Sequence, residues 1–63
     1  MNNNLKAIRI KKGYTLEQLA NITNLSKGYI CHLEKGSRNN PSFNVISKLA
    51  TALSSKPSEL FFD

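Results

Sequence analysis

The 63-residue chain has no tryptophan, one cysteine, one histidine and only four acidic side chains, and each scarcity closes off a class of function. A single cysteine cannot form an internal disulfide, so Cys31 predicts a reducing compartment, with the cytoplasm as the expected location. His32 stands without a second histidine or a nearby ligand set, which argues against a metal centre. There is no pair of carboxylates spaced for acid–base work and no glycine-rich phosphate loop. Cys31 and His32 are sequence neighbours and diverge by about 100° on a helix, so they do not form a nucleophile–base couple. No enzyme activity and no cofactor are expected. The longest apolar run, Leu60-Phe61-Phe62, is far short of the ~20 residues of a membrane span. The opening MNNNLKAIRIKKG also lacks the apolar stretch of a secretory signal, so no membrane partner is expected. A chain this short buries a small share of its surface. One domain over residues 1–63 is the expectation, without room for a solvent-filled catalytic cleft.

What the chain has in excess is positive charge, and the charge is unevenly placed. Across residues 1–38, Lys6, Arg9, Lys11, Lys12, Lys27, Lys35 and Arg38 are opposed only by Glu17 and Glu34. In residues 39–63, Lys48 and Lys56 are balanced by Glu59 and Asp63, so the whole net charge of +5 belongs to the first part. Such asymmetry points to a polyanionic partner.

Punctuation divides the chain into five short helices. The first spans roughly residues 4–12, with Leu5 and Ile8 inward and a Lys11-Lys12-Gly13 stop that suits a helix C-terminus. Thr15-Leu-Glu-Gln18 is a capping box that opens the second, whose buried face is Leu16, Leu19 and Ala20. The pattern breaks over Asn21–Leu25, with Asn24 suited to a left-handed turn. Ser26 caps a third helix that buries Ile30 and Leu33 and stops at Gly36. Ser42 caps a fourth, in which Phe43, Ile46, Leu49, Ala50 and Leu53 form an apolar stripe. Pro57 stands in the first turn of the last helix, and Leu60 and Phe61 fold back onto the core. No segment alternates in the manner of a strand, and the predicted fold is all-α.

Helices two and three are separated by about four residues. A small residue for the crossing (Ala20), a left-handed turn (Asn24, Leu25) and two apolar anchors (Ile30, Leu33) match the spacing of a helix-turn-helix. In the segments LKAIRIKKGYTLEQLA, LSKGYICHLEKG, NPSFNVISKLATAL and PSELF, the chain resembles the Cro/C1-type (XRE) helix-turn-helix family of bacterial and phage regulators along nearly its whole length. The LEKGSRNNPS loop is similar to that of Bacillus-type sporulation and biofilm repressors, and its SRN portion to that of restriction–modification controller proteins. The resemblance implies a five-helix, lambda-repressor-like domain that binds a near-palindromic double-stranded DNA operator as a homodimer. Bases would be read from the first two turns of the third helix.

Carried over by position, the resemblance puts Lys27, Gly28 and His32 toward the bases. It puts Thr15, Ser26, Tyr29, Lys35, Ser37, Arg38, Asn39 and Asn40 at the sugar–phosphate backbone or minor groove. Arg9 and Glu34 would form a structural ion pair between the first and third helices. Leu16 stands where many members carry a phosphate-touching glutamine, leaving the clamp to the amides of helix two and to Thr15. Lys27 and Gly28 stand where glutamine or serine is common, so the operator cannot be copied from a relative. Lys56 replaces a capping serine, which predicts fraying of the last helix. Gly28 has two readings, a glycine tolerated in a first turn or a gap that lets the helix end approach DNA. Cys31 is a small filler or a redox-sensitive thiol. Lys6, Lys11, Lys12 and Lys48 read as solvated, and Lys35 carries that reading beside the backbone one.

Pro57, Leu60 and Phe62 form the candidate dimer contact. A regulator of this length carries no ligand-sensing domain, so control would come from its concentration, from dimerisation or from a regulatory protein partner. The competing functions are a restriction–modification controller acting as an activator, and an antitoxin or anti-repressor module that holds another polypeptide.

Overall fold

The computed structural model describes residues 2–36 and 41–62. Five helices stand where the punctuation places them: α1 (Leu5–Lys11), α2 (Leu16–Thr23), α3 (Lys27–Lys35), α4 (Phe43–Ala52) and α5 (Pro57–Leu60). The all-α expectation holds for this body, with one addition. Strands β1 (Asn2–Asn3) and β2 (Phe61–Phe62) pair antiparallel, Asn2 opposite Phe62 and Asn3 opposite Phe61. Two residues per strand are too few for a periodic signal, and the pairing is set by α5 turning the chain back beside its start. The Asn4 amide donates to the Leu60 carbonyl at 2.9 Å and continues the same clasp.

Local chemistry explains each helix boundary. Thr15 Oγ1 accepts from the Gln18 amide at 3.0 Å while Gln18 Oε1 accepts from the Thr15 amide at 2.9 Å, so two otherwise unpaired donors are satisfied at the start of α2. Ser26 and Ser42 do the same single-sidedly, accepting from Tyr29 at 3.1 Å and Val45 at 3.2 Å. Asn24 closes α2 in the left-handed conformation, φ 59° and ψ 30°. Gly36 closes α3 at φ 77°, where a side chain would be strained. The helix α2 runs three residues further, to Thr23, than its broken sequence pattern indicates. The Thr23 hydroxyl donates to the Leu19 carbonyl at 2.7 Å, which lets a polar residue continue the buried side.

The core is a cluster of aliphatic side chains drawn from every helix: Leu5, Leu19, Ile30, Leu33, Leu49, Leu53 and Leu60 are fully buried, joined by Ala20, Ala50 and Phe61. Removing one of these leucines leaves a cavity and costs about 2–5 kcal/mol. Leu16 packs against this cluster while partly exposed.

The core differs from the sequence expectation at Phe43, which is 78% exposed. Phe43 continues the apolar spacing of α4 but is its first residue. Helical side chains lean toward the N-terminus, so its ring projects past the end of the stripe instead of into the core. The start of α5 has a substitute for the missing serine cap. Lys56 offers no capping acceptor, but Glu59 Oε1 accepts from the Lys56 amide at 2.9 Å, and Leu60 is fully buried. Among the described residues, no helix is long and apolar enough to cross a membrane.

Candidate nucleic-acid interface

The consecutive helices α2 and α3 pack on one another, and α3 has two unlike sides. Ile30 and Leu33 point into the core with no exposure, whereas Lys27, Gly28, His32 and Lys35 are exposed. At 3.6 residues per turn, Gly28 and His32 lie about 40° apart around the axis, so they share one flank of the outer side. Lys27 and Cys31 share the adjacent flank, with Cys31 and Tyr29 half-buried.

The start of α3 is a set of donors. Ser26 Oγ accepts from Tyr29, and the Ser26 carbonyl accepts from Ile30 at 3.1 Å. Among the described residues, the amides of Lys27 and Gly28 have no hydrogen-bond partner. The amides of Leu16 and Glu17 at the start of α2 are in the same condition, beside an exposed Thr15. Thr15 Oγ1 is occupied as an acceptor, yet its own O–H still has a proton to give. Free first-turn amides, a hydroxyl and lysine ammonium groups are the donor types that hold phosphate oxygens, while lysine and histidine can also donate to base edges.

Behind this surface, Arg9 ties α1 to α3. Its Nε donates to Glu34 Oε2 at 2.6 Å and its Nη2 to Glu34 Oε1 at 3.3 Å, a two-pronged contact, while Nη1 donates to the Tyr14 carbonyl at 2.8 Å. The paired side chains are only 10% and 5% exposed. Because the pair removes one charge of each sign from the surface, the basic excess of the described residues 2–36 is carried by the exposed Lys6, Lys11, Lys12, Lys27 and Lys35. The Tyr14 carbonyl as third partner has no sequence signal. Nor has Asn3, whose Nδ2 donates to the Leu33 carbonyl at 3.0 Å and whose Oδ1 accepts from Leu5 at 3.1 Å, bracing the far end of α3.

The remaining site expectations divide. Ser37, Arg38, Asn39 and Asn40 lie outside the described residues. Of the three candidate dimer residues, Pro57 and Phe62 are exposed, but Leu60 is fully buried beneath its own chain and offers no surface to a second copy. The cause is the β1–β2 clasp: Phe61 and Phe62 alternate about the strand, and the preceding helix turns Leu60 inward. On another side, an open groove of about 400 Å³ runs between α2 and α4, lined by Ile22, Thr23, Asn24, Ser47, Lys48, Thr51 and Ala52.

The helix-turn-helix family model matches residues 5–60. The HTH-type transcriptional regulator SlrR of Bacillus subtilis is 35% identical over 57 residues, which is 90% of this chain and 38% of SlrR. SinR of the same organism is 33% identical over 49 residues, 78% of this chain and 44% of SinR, so the chain spans less than half the length of these curated relatives. The crystal structure of the restriction–modification controller protein C.AhdI from Aeromonas hydrophila superposes with a TM-score of 0.84 at 43% identity, covering 92% of this chain and 86% of C.AhdI. The crystal structure of SinR in complex with DNA gives 0.82 at 30% identity, covering 86% of each chain.

Proposed function

The chain belongs to the helix-turn-helix family, and from that premise we propose that it is a sequence-specific regulator of transcription that binds double-stranded DNA and represses by occluding a promoter. The observation that carries this reading is the division of α3 into a fully buried anchor side, Ile30 and Leu33, and an exposed side of Lys27, Gly28, His32 and Lys35. The core holds the helix from behind, and its free side has the size and donor chemistry of a major-groove reader. Lys27, Gly28 and His32 meet base edges. Thr15, Ser26, Tyr29 and Lys35, together with Ser37, Arg38, Asn39 and Asn40, hold phosphates and set the register. That SinR was crystallised with DNA and SlrR is named a transcriptional regulator supports the same assignment.

In this reading the protein acts as a homodimer on a near-palindromic operator, with two copies of α3 in successive major grooves roughly 34 Å apart. Pro57 and Phe62 supply the apolar contact between copies. Counterion release drives affinity and a few base contacts add selectivity, so binding weakens steeply with salt.

The test is selection of bound duplexes from random DNA at two salt concentrations. Paired half-sites one helical turn apart are the expected result. Binding that never discriminates between sequences would reduce the protein to a nonspecific DNA binder, and no DNA affinity at all would end the proposal.

A further inference from the structure

Gly28 is the residue of α3 that the fold does not account for. It lies in the first turn of a regular helix, and its backbone is not in the left-handed region that demands glycine, unlike Gly13 and Gly36. A Cβ built on Gly28 meets nothing among the described residues within 4 Å. The described residues therefore leave both the conformation and the space for a Cβ here, and glycine lowers helix stability relative to alanine. Among the described residues, nothing requires a missing side chain at this position.

Its surroundings indicate what does. The Gly28 amide has no partner among the described residues, and its neighbours on the outer surface are the exposed Lys27 and, one turn on, His32. We infer that Gly28 is a steric specificity residue: its bare backbone lets the first turn of α3 seat against a base-pair edge in the major groove at a distance that even one methyl group would prevent. The selected DNA is distinguished here by shape at van der Waals contact, and Lys27 and His32 read by donation on either side. This inference rests on the DNA-binding reading above and sharpens it, because it assigns one position a role that fold stability opposes.

The experiment pairs thermal melting with duplex selection for the wild-type chain and Gly28→Ala. The variant is expected to melt roughly 2–6 °C higher, since alanine suits the helix better. It is also expected to bind the wild-type operator roughly tenfold more weakly, with its preference altered at one or two base pairs per half-site and unaltered elsewhere. A higher melting temperature with unchanged affinity and preference overturns the inference and makes Gly28 a tolerated residue. A lower melting temperature overturns it as well, by showing that the fold needs glycine. A loss that is equal on all duplexes, specific and nonspecific, overturns it in favour of a phosphate contact. If the wild-type chain itself selects no sequence, the DNA-reading proposal fails and takes this inference with it; if the wild type selects and the variant selects identically, only the inference fails.

Discussion

The helices α3 and α4 are built to the same local plan and differ in what they leave outside. Each begins with a serine that caps the amide three residues on, and each buries two residues fully or nearly so, Ile30 and Leu33 in one and Leu49 and Ala50 in the other. Their lengths are nine and ten residues. On the free side, α4 carries neutral polar groups such as Asn44 and Thr51 with the single charge of Lys48, whereas α3 carries Lys27, His32 and Lys35 around an unexplained glycine. Capping and burial are thus shared costs of being a helix in this core. What separates a reading element from a supporting one is the set of residues the core does not use.

Five substitutions test that separation, and the largest effect comes from behind α3. Glu34→Ala strands the buried Arg9 guanidinium and is expected to cost about 3–5 kcal/mol, lowering the melting temperature followed by circular dichroism by more than about 10 °C. The sequence preference of the protein that remains folded in the cold should be unchanged. Equal stability with a changed preference would move Glu34 from the scaffold to the reading surface. Next, Leu49→Ala in α4 leaves a cavity worth about 2–5 kcal/mol. It too should spare DNA preference, and a shifted preference would mean that α4 does more than support.

The cap serines make the comparison directly. Ser26→Ala and Ser42→Ala should each cost about 1 kcal/mol of stability, read as similar shifts in a denaturant midpoint. Only Ser26→Ala is expected to weaken binding as well, because its hydroxyl stands at the start of α3; equal binding losses in both would erase the distinction between the two helices. The smallest effect on stability belongs to Lys27→Ala, which should stay within about 0.5 kcal/mol. In titrations at several salt concentrations it should relax selectivity at its contacted base pair. A loss that is uniform across sequences, with a salt slope lower by about one, would assign Lys27 to a phosphate.

Much of this was legible in the residues, for a physical reason. Caps, left-handed stops and inward periodicity are short-range rules, so Thr15, Ser26, Asn24, Gly36 and the Ile30–Leu33 pair could be placed from their neighbours alone. Features that depend on distant parts of the chain were not. The β1–β2 ladder joins residues sixty positions apart, and the reach of Asn3 to Leu33 crosses thirty. Phe43 failed differently, because periodicity registers angle around a helix and not whether any partner lies beyond its end. Leu60 shows the same gap for the candidate site: an apolar residue near the end of the chain reads equally well as core or contact until the clasp decides it. The exposed residues of α3 were easier to assign, since a helix with a known buried side has a known outer one.

The clasp has a consequence for how the domain can be used. With residues 2 and 62 opposite each other in one ladder, the polypeptide enters and leaves the domain at a single place. A unit of this kind can be spliced into a surface loop of a host protein without its ends being drawn apart, and tethers attached at both ends would open it there like a zipper, one hydrogen-bonded pair at a time.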